Sequence, residues 1–148
     1  MKKKDVSRIK LIKNGIVIDH IKSGKALEVL RILGISENFP DTVTLAMNVP
    51  SKSMHLKDIV KVENRDIDQK EINQIAIVAP RATINRIRDC KVVKKDRVAL
   101  PDEIVGIIKC PNPKCITNKE REPTESVFMV RQKEPLVMKC KYCERIVG

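Results

Sequence analysis

Four cysteines crowd the last third of this 148-residue chain as two close pairs, Cys110-x4-Cys115 and Cys140-x2-Cys143, with 24 residues between the pairs. Each pair brings two sulfurs within reach of one ion, and two such pairs make the four-thiolate cage of a structural zinc site. One structural Zn2+ per chain, held by Cys110, Cys115, Cys140 and Cys143, is therefore expected, with iron as the minor alternative. Disulfides fit poorly. Five cysteines is an odd number, and no apolar stretch of signal-peptide length follows Met1-Lys-Lys-Lys-Asp5. A cytoplasmic setting is expected. A redox Cys-x-x-Cys needs a helix N-terminus at its first thiol, yet only five residues follow Cys143. A catalytic zinc needs an open coordination position, for which four cysteines leave no room. The longest apolar runs, Ile16 to Ile18 and Ile75 to Ala79, are too short to span a membrane. Cys90 stands apart in Asp89-Cys-Lys-Val-Val93 and reads as a small core residue of a strand.

The cysteines and the break at Leu100-Pro101-Asp102 divide the chain into domains 1–100 and 101–148. Residues 101–148 are too few to bury a large core, so that part should unfold without its metal. Of the net charge of +11, residues 1–101 carry +9 (21 Lys/Arg against 12 Asp/Glu). The basic surface therefore belongs to the first domain.

Hydrophobic periods alternate in that domain. Val6 to Ile12 and Ile16 to His20 are β-branched runs parted by Asn14-Gly15, a hairpin signal. Ser23 is expected to cap a helix whose apolar residues Ala26, Val29, Leu30 and Leu33 share one face, ended by Gly34. Val43, Leu45, Met47 and Val49 recur at strand spacing, and Ile59 to Glu63 reads as another strand. Asp68 with Glu71 opens a second helix through a capping box, with Ile72, Ile75, Ala76 and Ala79 inside and Pro80 as its stop. Strands return at Thr83 to Ile87 and Cys90 to Val93. In the tail, Val105 to Lys109, Ser126 to Lys133 and Leu136 to Lys141 read as strands around a polar loop, 118–125. The expected fold class is α+β: a ferredoxin-like antiparallel sheet with two helices, then a small zinc-binding antiparallel β domain. The helices would cover one sheet face and leave the other for a partner.

Catalytic signatures are missing. There is no Gly-x-x-x-x-Gly-Lys, Gly-x-Gly-x-x-Gly or Gly-x-Ser-x-Gly, and neither His20 nor His55 is matched to a nucleophile. Asp19-His20 is not expected to form a relay, because strand neighbours point to opposite faces. His55 is placed in a polar loop. The chain is read as a non-enzyme. Its charge calls for an anionic partner, but Phe39, Phe128 and Tyr142 are too few to stack bases. Lys57, Lys61, Lys94 and Lys95, with His20, could converge on phosphates, while Asp19 would suit ribose hydroxyls.

The stretches Lys13-Asn-Gly-Ile-Val-Ile-Asp-His-Ile21, Lys57-Asp-Ile-Val-Lys-Val-Glu-Asn64 and Ala79-Pro-Arg-Ala-Thr-Ile-Asn-Arg-Ile87 resemble the regulatory chain of aspartate carbamoyltransferase. So does the tail, through Cys110-Pro-Asn-Pro-Lys-Cys-Ile-Thr-Asn118 and Lys139-Cys-Lys-Tyr-Cys-Glu144. The resemblance runs nearly end to end. It implies an allosteric domain at 1–100 that binds CTP and ATP and forms a homodimer, and a zinc domain at 101–148 that contacts the catalytic chain, so that regulatory dimers bridge catalytic trimers in pyrimidine biosynthesis. It also implies an effector site of Ile12, Val17, Asp19, His20, Ile59, Lys61, Asn85, Ile87, Val92 and Lys95. His20 and Lys95 would face phosphates, Asp19 and Lys61 the ribose and nearby base, and main-chain groups near Ile12 and residue 90 the exocyclic amine. Lys57 would touch a second nucleotide. The chain departs from the family in having Cys90 where an aromatic residue is common, and Lys94 is expected to add a cation to the phosphate region. Neither a membrane nor nucleic acid is an expected partner. The alternative is a zinc-ribbon nucleic-acid-binding protein of transcription or translation.

Overall fold

The computed structural model describes residues 12–119 and 124–148. Two compact units emerge, Met1–Val98 and Ala99–Gly148. The first contains β1 (Gly15–Lys22), α1 (Ala26–Ile32), β2 (Val43–Ser51), β3 (His55–Glu63), α2 (Gln69–Val78), β4 (Thr83–Arg88) and β5 (Lys91–Arg97). The strands form one antiparallel sheet in the order β2-β3-β1-β4-β5. Strands β1 to β4 thus follow the ferredoxin-like split βαβ order, with β5 added at an edge.

Strand alternation sorts the faces. Ile16, Ile18, Val60, Val62 and Ile84 are completely buried and form the core with Val29, Ile75 and Ala76 of the helices. Each such Ile or Val side chain contributes roughly 1.5–3 kcal/mol by leaving water. Val17, Ile59, Lys61 and Asn85, at the intervening positions, are only half-buried and make the opposite face. Gly15 is required at the start of β1, since a Cβ there would run into the Val62 carbonyl.

Both helices end as their sequences suggest, but only one begins so. The Asp68 carboxylate accepts from the Glu71 N–H (2.8 Å) and the Glu71 carboxylate from the Asp68 N–H (3.1 Å), a complete capping box. Gly34 closes α1 at φ 71°, with its N–H on the Arg31 carbonyl and the Ile35 N–H on the Leu30 carbonyl, a Schellman motif. Ser23 does not cap α1. Its hydroxyl bonds the Asn48 side chain, and Asp58 from β3 accepts the N–H groups of Gly24 and Ala26 instead.

One further expectation is not tested and three are corrected. The strand expected at Val6 to Ile12 falls outside the described residues except for Ile12. A hairpin across Asn14-Gly15 is not how β1 pairs, because β3 and β4 already occupy both its edges from Gly15 to Ile18. Cys90 is exposed, not core. Asp89 and Cys90 (φ 51° and 66°) are the two-residue turn between β4 and β5, where a tight hairpin demands positive φ. His55 is the first residue of β3 rather than part of a loop. Pro50 lies within β2, tolerable because β2 is an edge strand.

The second unit has β6 (Glu103–Val105), a 3-10 turn (Ile116–Asn118), β7 (Val127–Lys133), β8 (Leu136–Cys140) and β9 (Ile146–Val147), in the antiparallel order β6-β7-β8-β9. Phe128, Ile104 and Met138 line its small interior. The strand expected at Val105 to Lys109 instead ends at Val105. Gly106 turns away at φ 70°, where a Cβ would lie 2.7 Å from a Glu125 carboxylate oxygen.

Candidate functional site

The two cysteine pairs come from structures suited to fixing sulfurs. Cys110 and Cys115 flank a knuckle whose Asn112 carbonyl accepts the Cys115 N–H (3.0 Å) and the Asn118 amide (2.7 Å). Cys140 ends β8, and a tight turn returns the Glu144 N–H to the Cys140 carbonyl (2.9 Å), bringing Cys143 round. All four sulfurs lie within 4.8 Å of one another, with Cys110–Cys143 at 3.5 Å and Cys115–Cys140 at 3.8 Å. Tetrahedral zinc with bonds of about 2.3 Å sets sulfurs about 3.8 Å apart, so the cage fits such an ion. The thiols are unequal. Burial pushes Cys110 up to about 12, while the Arg145 N–H draws Cys143 down to about 6 and the Thr117 hydroxyl lowers Cys115. A bound dication would favour thiolates throughout and release their protons.

The open face of the first unit collects most of the other predicted site residues. Register places Thr44, Lys61, Val17, Asn85 and Lys95 side by side across all five strands. At about 4.8 Å per strand, Lys61 to Lys95 spans about 14 Å. Ile87 and Val92 form the adjacent row, and Ile59 lies on β3 beside the irregular end of β1. Ile12 is buried just before β1. The Lys57 ammonium is 3.0 Å from Asp19, and the Asn85 amide donates to the Val17 carbonyl (3.3 Å). Partial burial pushes the Lys61 ammonium below its ordinary value, opposed by the Asp19 carboxylate. The Cys90 N–H already donates to the Lys13 carbonyl (2.9 Å).

Asp19 and His20 break the alternation rule. The β1–β3 register slips between Ile18 and Ile21, and His20 takes φ 55°, the signature of a bulge. Neighbours that a regular strand would separate are therefore brought to the same side. Asp19 meets Lys57, and the His20 ring approaches Asp19 at 4.0 Å while bonding the Thr83 hydroxyl at 3.2 Å. The 4.0 Å separation is too long for a hydrogen-bonded relay.

His20 and Lys95 line a cavity of about 670 Å3 together with Ser53, Arg81, Thr83 and Arg97, and with Asp96 as its one carboxylate. The sequence alone singled out neither Arg81 nor Arg97. Their positions just before β4 and at the end of β5 become neighbours only through the Thr83–Arg97 register. Lys94 is not part of this group. It pairs in register with Arg86, in the row of the buried Ile16, and its ammonium lies 3.7 Å from Asp96. Successive strand residues alternate, so a cation beside Lys95 in sequence is not beside it in space. The buried Asp58, also missed, accepts three backbone hydrogen bonds, two from amides more than thirty residues earlier and one from Asn48 on the neighbouring strand.

Known proteins agree with this division. Residues 7–99 match the family described as aspartate carbamoyltransferase regulatory chain, allosteric domain, and residues 102–148 match the metal binding domain of the same chain. A relative named aspartate carbamoyltransferase regulatory chain, from Methanothermobacter thermautotrophicus, is 51% identical over 147 residues, covering 99% of this chain and 93% of the relative. Another of that name from Thermococcus gammatolerans is 49% identical, covering 95% and 91%. One from Methanosarcina barkeri is 48% identical, covering 100% and 95%. Among the described residues no helix is long and apolar enough to cross a membrane. The chain belongs to the family of aspartate carbamoyltransferase regulatory chains, which are regulatory rather than catalytic, with an allosteric domain followed by a metal-binding domain.

Proposed function

We propose that this chain senses nucleoside triphosphates, CTP and ATP, on the open sheet face of its first unit and transmits their binding to a catalytic chain held by its second. The observation carrying this reading is the row Lys61–Val17–Asn85–Lys95, continued at its phosphate end by a cationic cavity. Asp19 and Lys61 suit the ribose and nearby base, Val17, Ile59, Ile87 and Val92 the base faces, and His20 and Lys95 the phosphates. An exocyclic amine would need a main-chain carbonyl near Ile12 or Cys90, since an amine donates. Lys57 is the candidate contact for a second nucleotide. Domain 1–100 is the effector domain and the homodimer surface. Domain 101–148 holds one zinc through Cys110, Cys115, Cys140 and Cys143 and bridges catalytic trimers, in the cytoplasm, in pyrimidine biosynthesis.

Zinc supplies no chemistry to a reaction here; it closes a fold whose surface grips a partner. Met129 and Ile146, in the exposed row Glu103–Met129–Lys139–Ile146, and Tyr142 after β8 offer apolar contact area for that grip. An effector shifts the holoenzyme only by the difference in its affinity for the low- and high-activity states. Titration of the full chain with CTP, ATP and a random oligonucleotide tests the reading. Saturable nucleotide binding is expected. Oligonucleotide binding that falls steeply with salt, with no nucleotide binding, would instead establish a nucleic-acid-binding protein.

A further inference from the structure

Asp58 is the only charged side chain that is fully buried among the described residues. Burying a carboxylate is costly unless hydrogen bonds replace its water. Here one oxygen accepts from the Gly24 N–H (2.9 Å) and the Ala26 N–H (3.1 Å), and the other from the Asn48 N–H (2.9 Å). These donors belong to the chain just after β1 and to β2, on either side of Asp58 in β3. Both neighbouring strands lose register at this height, β1 between Ile18 and Ile21 and β2 between Ala46 and Val49. Each irregularity holds a non-glycine residue at positive φ, His20 at 55° and Asn48 at 59°. Such backbone persists where its surroundings over-determine it. From the helix-covered side of the sheet Asp58 bonds the Asn48 N–H of one irregularity directly and ties down Gly24 and Ala26 just beyond the other, where the His20 N–H itself donates to the Asp19 carboxylate (2.6 Å).

We propose that Asp58 is a positioning residue of the effector site. It locks the paired bulges that turn His20 onto the open face beside Asp19 and Thr83, and so acts on an effector polyphosphate through His20. This rests on the nucleotide reading above. A carboxylate that merely began the short helix α1 would add stability without any energetic link to His20.

Calorimetric titration of CTP into the full chain, as wild type, H20A, D58N and D58N/H20A, distinguishes these roles. The amide of D58N keeps the shape but presents a donor to backbone donors. H20A removes one charge-assisted contact, worth about a tenfold loss, and D58N should match it. The double variant should be no weaker than either single one, because residues acting as a unit are not additive. Losses that multiply, to about a hundredfold for two tenfold effects, or unchanged CTP affinity in D58N, would overturn the proposal. Failure of the wild type to bind CTP would instead remove the nucleotide reading itself. Should D58N not fold, hydrogen exchange in the wild type decides. Saturating CTP should slow exchange at Gly24, Ala26 and Asn48 by about the factor that H20A costs in affinity, since opening the bulge would forfeit the same contact. No slowing at those amides would overturn it.

Discussion

The two units reach stability by different routes. Met1–Val98 buries sixteen apolar residues among its described residues, including the fully buried Ile16, Ile18, Ile75 and Ile84 between one sheet face and two helices. Ala99–Gly148 buries eight among its described residues, and three of those are Cys110, Cys115 and Cys140. Removing the cysteines leaves Leu100, Ile104, Val127, Phe128 and Met138, a core too thin to offset the chain entropy of about fifty residues. The larger unit can keep a whole sheet face open, with lysines among its apolar residues, because the other face supplies its stability. The smaller one turns its cysteines inward and leaves Val105, Met129, Tyr142 and Ile146 exposed. On the reading proposed above, the open face of the first unit would serve a ligand, and in the second a metal would support the surface offered to a partner.

Metal removal should separate the units most sharply. Structural zinc contributes roughly 10–16 kcal/mol of apparent binding energy in small domains, so chelation or C115S should unfold the second unit and leave the first intact. Loss of the Phe128 but not the Ile75 side-chain NMR signals would show this, and loss of both would contradict independent folding. The converse experiment is I75A, which should lower the stability of the first unit by about 2–5 kcal/mol without changing bound zinc, read by denaturant titration and metal analysis. Within the open face, K95A should weaken CTP by about tenfold while K94A changes it little, since a single charge-assisted contact is worth about 1.5 kcal/mol. Equal losses in calorimetry would mean that both lysines face the ligand.

The smallest effect expected is one of pH. The Ile67 N–H, then the Arg86 guanidinium, hold the Asp66 carboxyl below its ordinary value. The unfolded chain therefore binds more protons in that range, and the stabilisation, present above the ordinary carboxylate pKa, is lost as pH falls through the lowered folded value. D66N should flatten the acid side of the thermal stability profile slightly, because Asp66 is largely exposed and its pairing is screened. An unchanged profile would rule out this contribution.

Much of this contrast was legible in the sequence. Heptad-free helical spacing at Ala26, Val29 and Leu33, strand alternation from Val43, and the cysteine spacing each depend on nearby residues alone. What escaped local reading depended on distant partners. Asp58 satisfies amides 32 and 34 residues earlier, so Ser23 looked like the natural cap of α1. The bulge at His20 shifts alternation by one residue, which brought Asp19 and His20 together against the rule. Lys94 and Lys95 separated because alternation did hold there, and Cys90 became a turn residue because β4 and β5 needed only two residues to reverse. The candidate site is thus assembled by register, which local periodicity does not specify.

Independence of sensing and gripping is tested most directly by stripping the metal from the full chain and measuring two quantities on the same sample. The CTP dissociation constant should stay within about twofold, while co-migration with catalytic trimers disappears. Loss of CTP binding together with the metal, or persistent assembly without it, would contradict the division of labour between the two units.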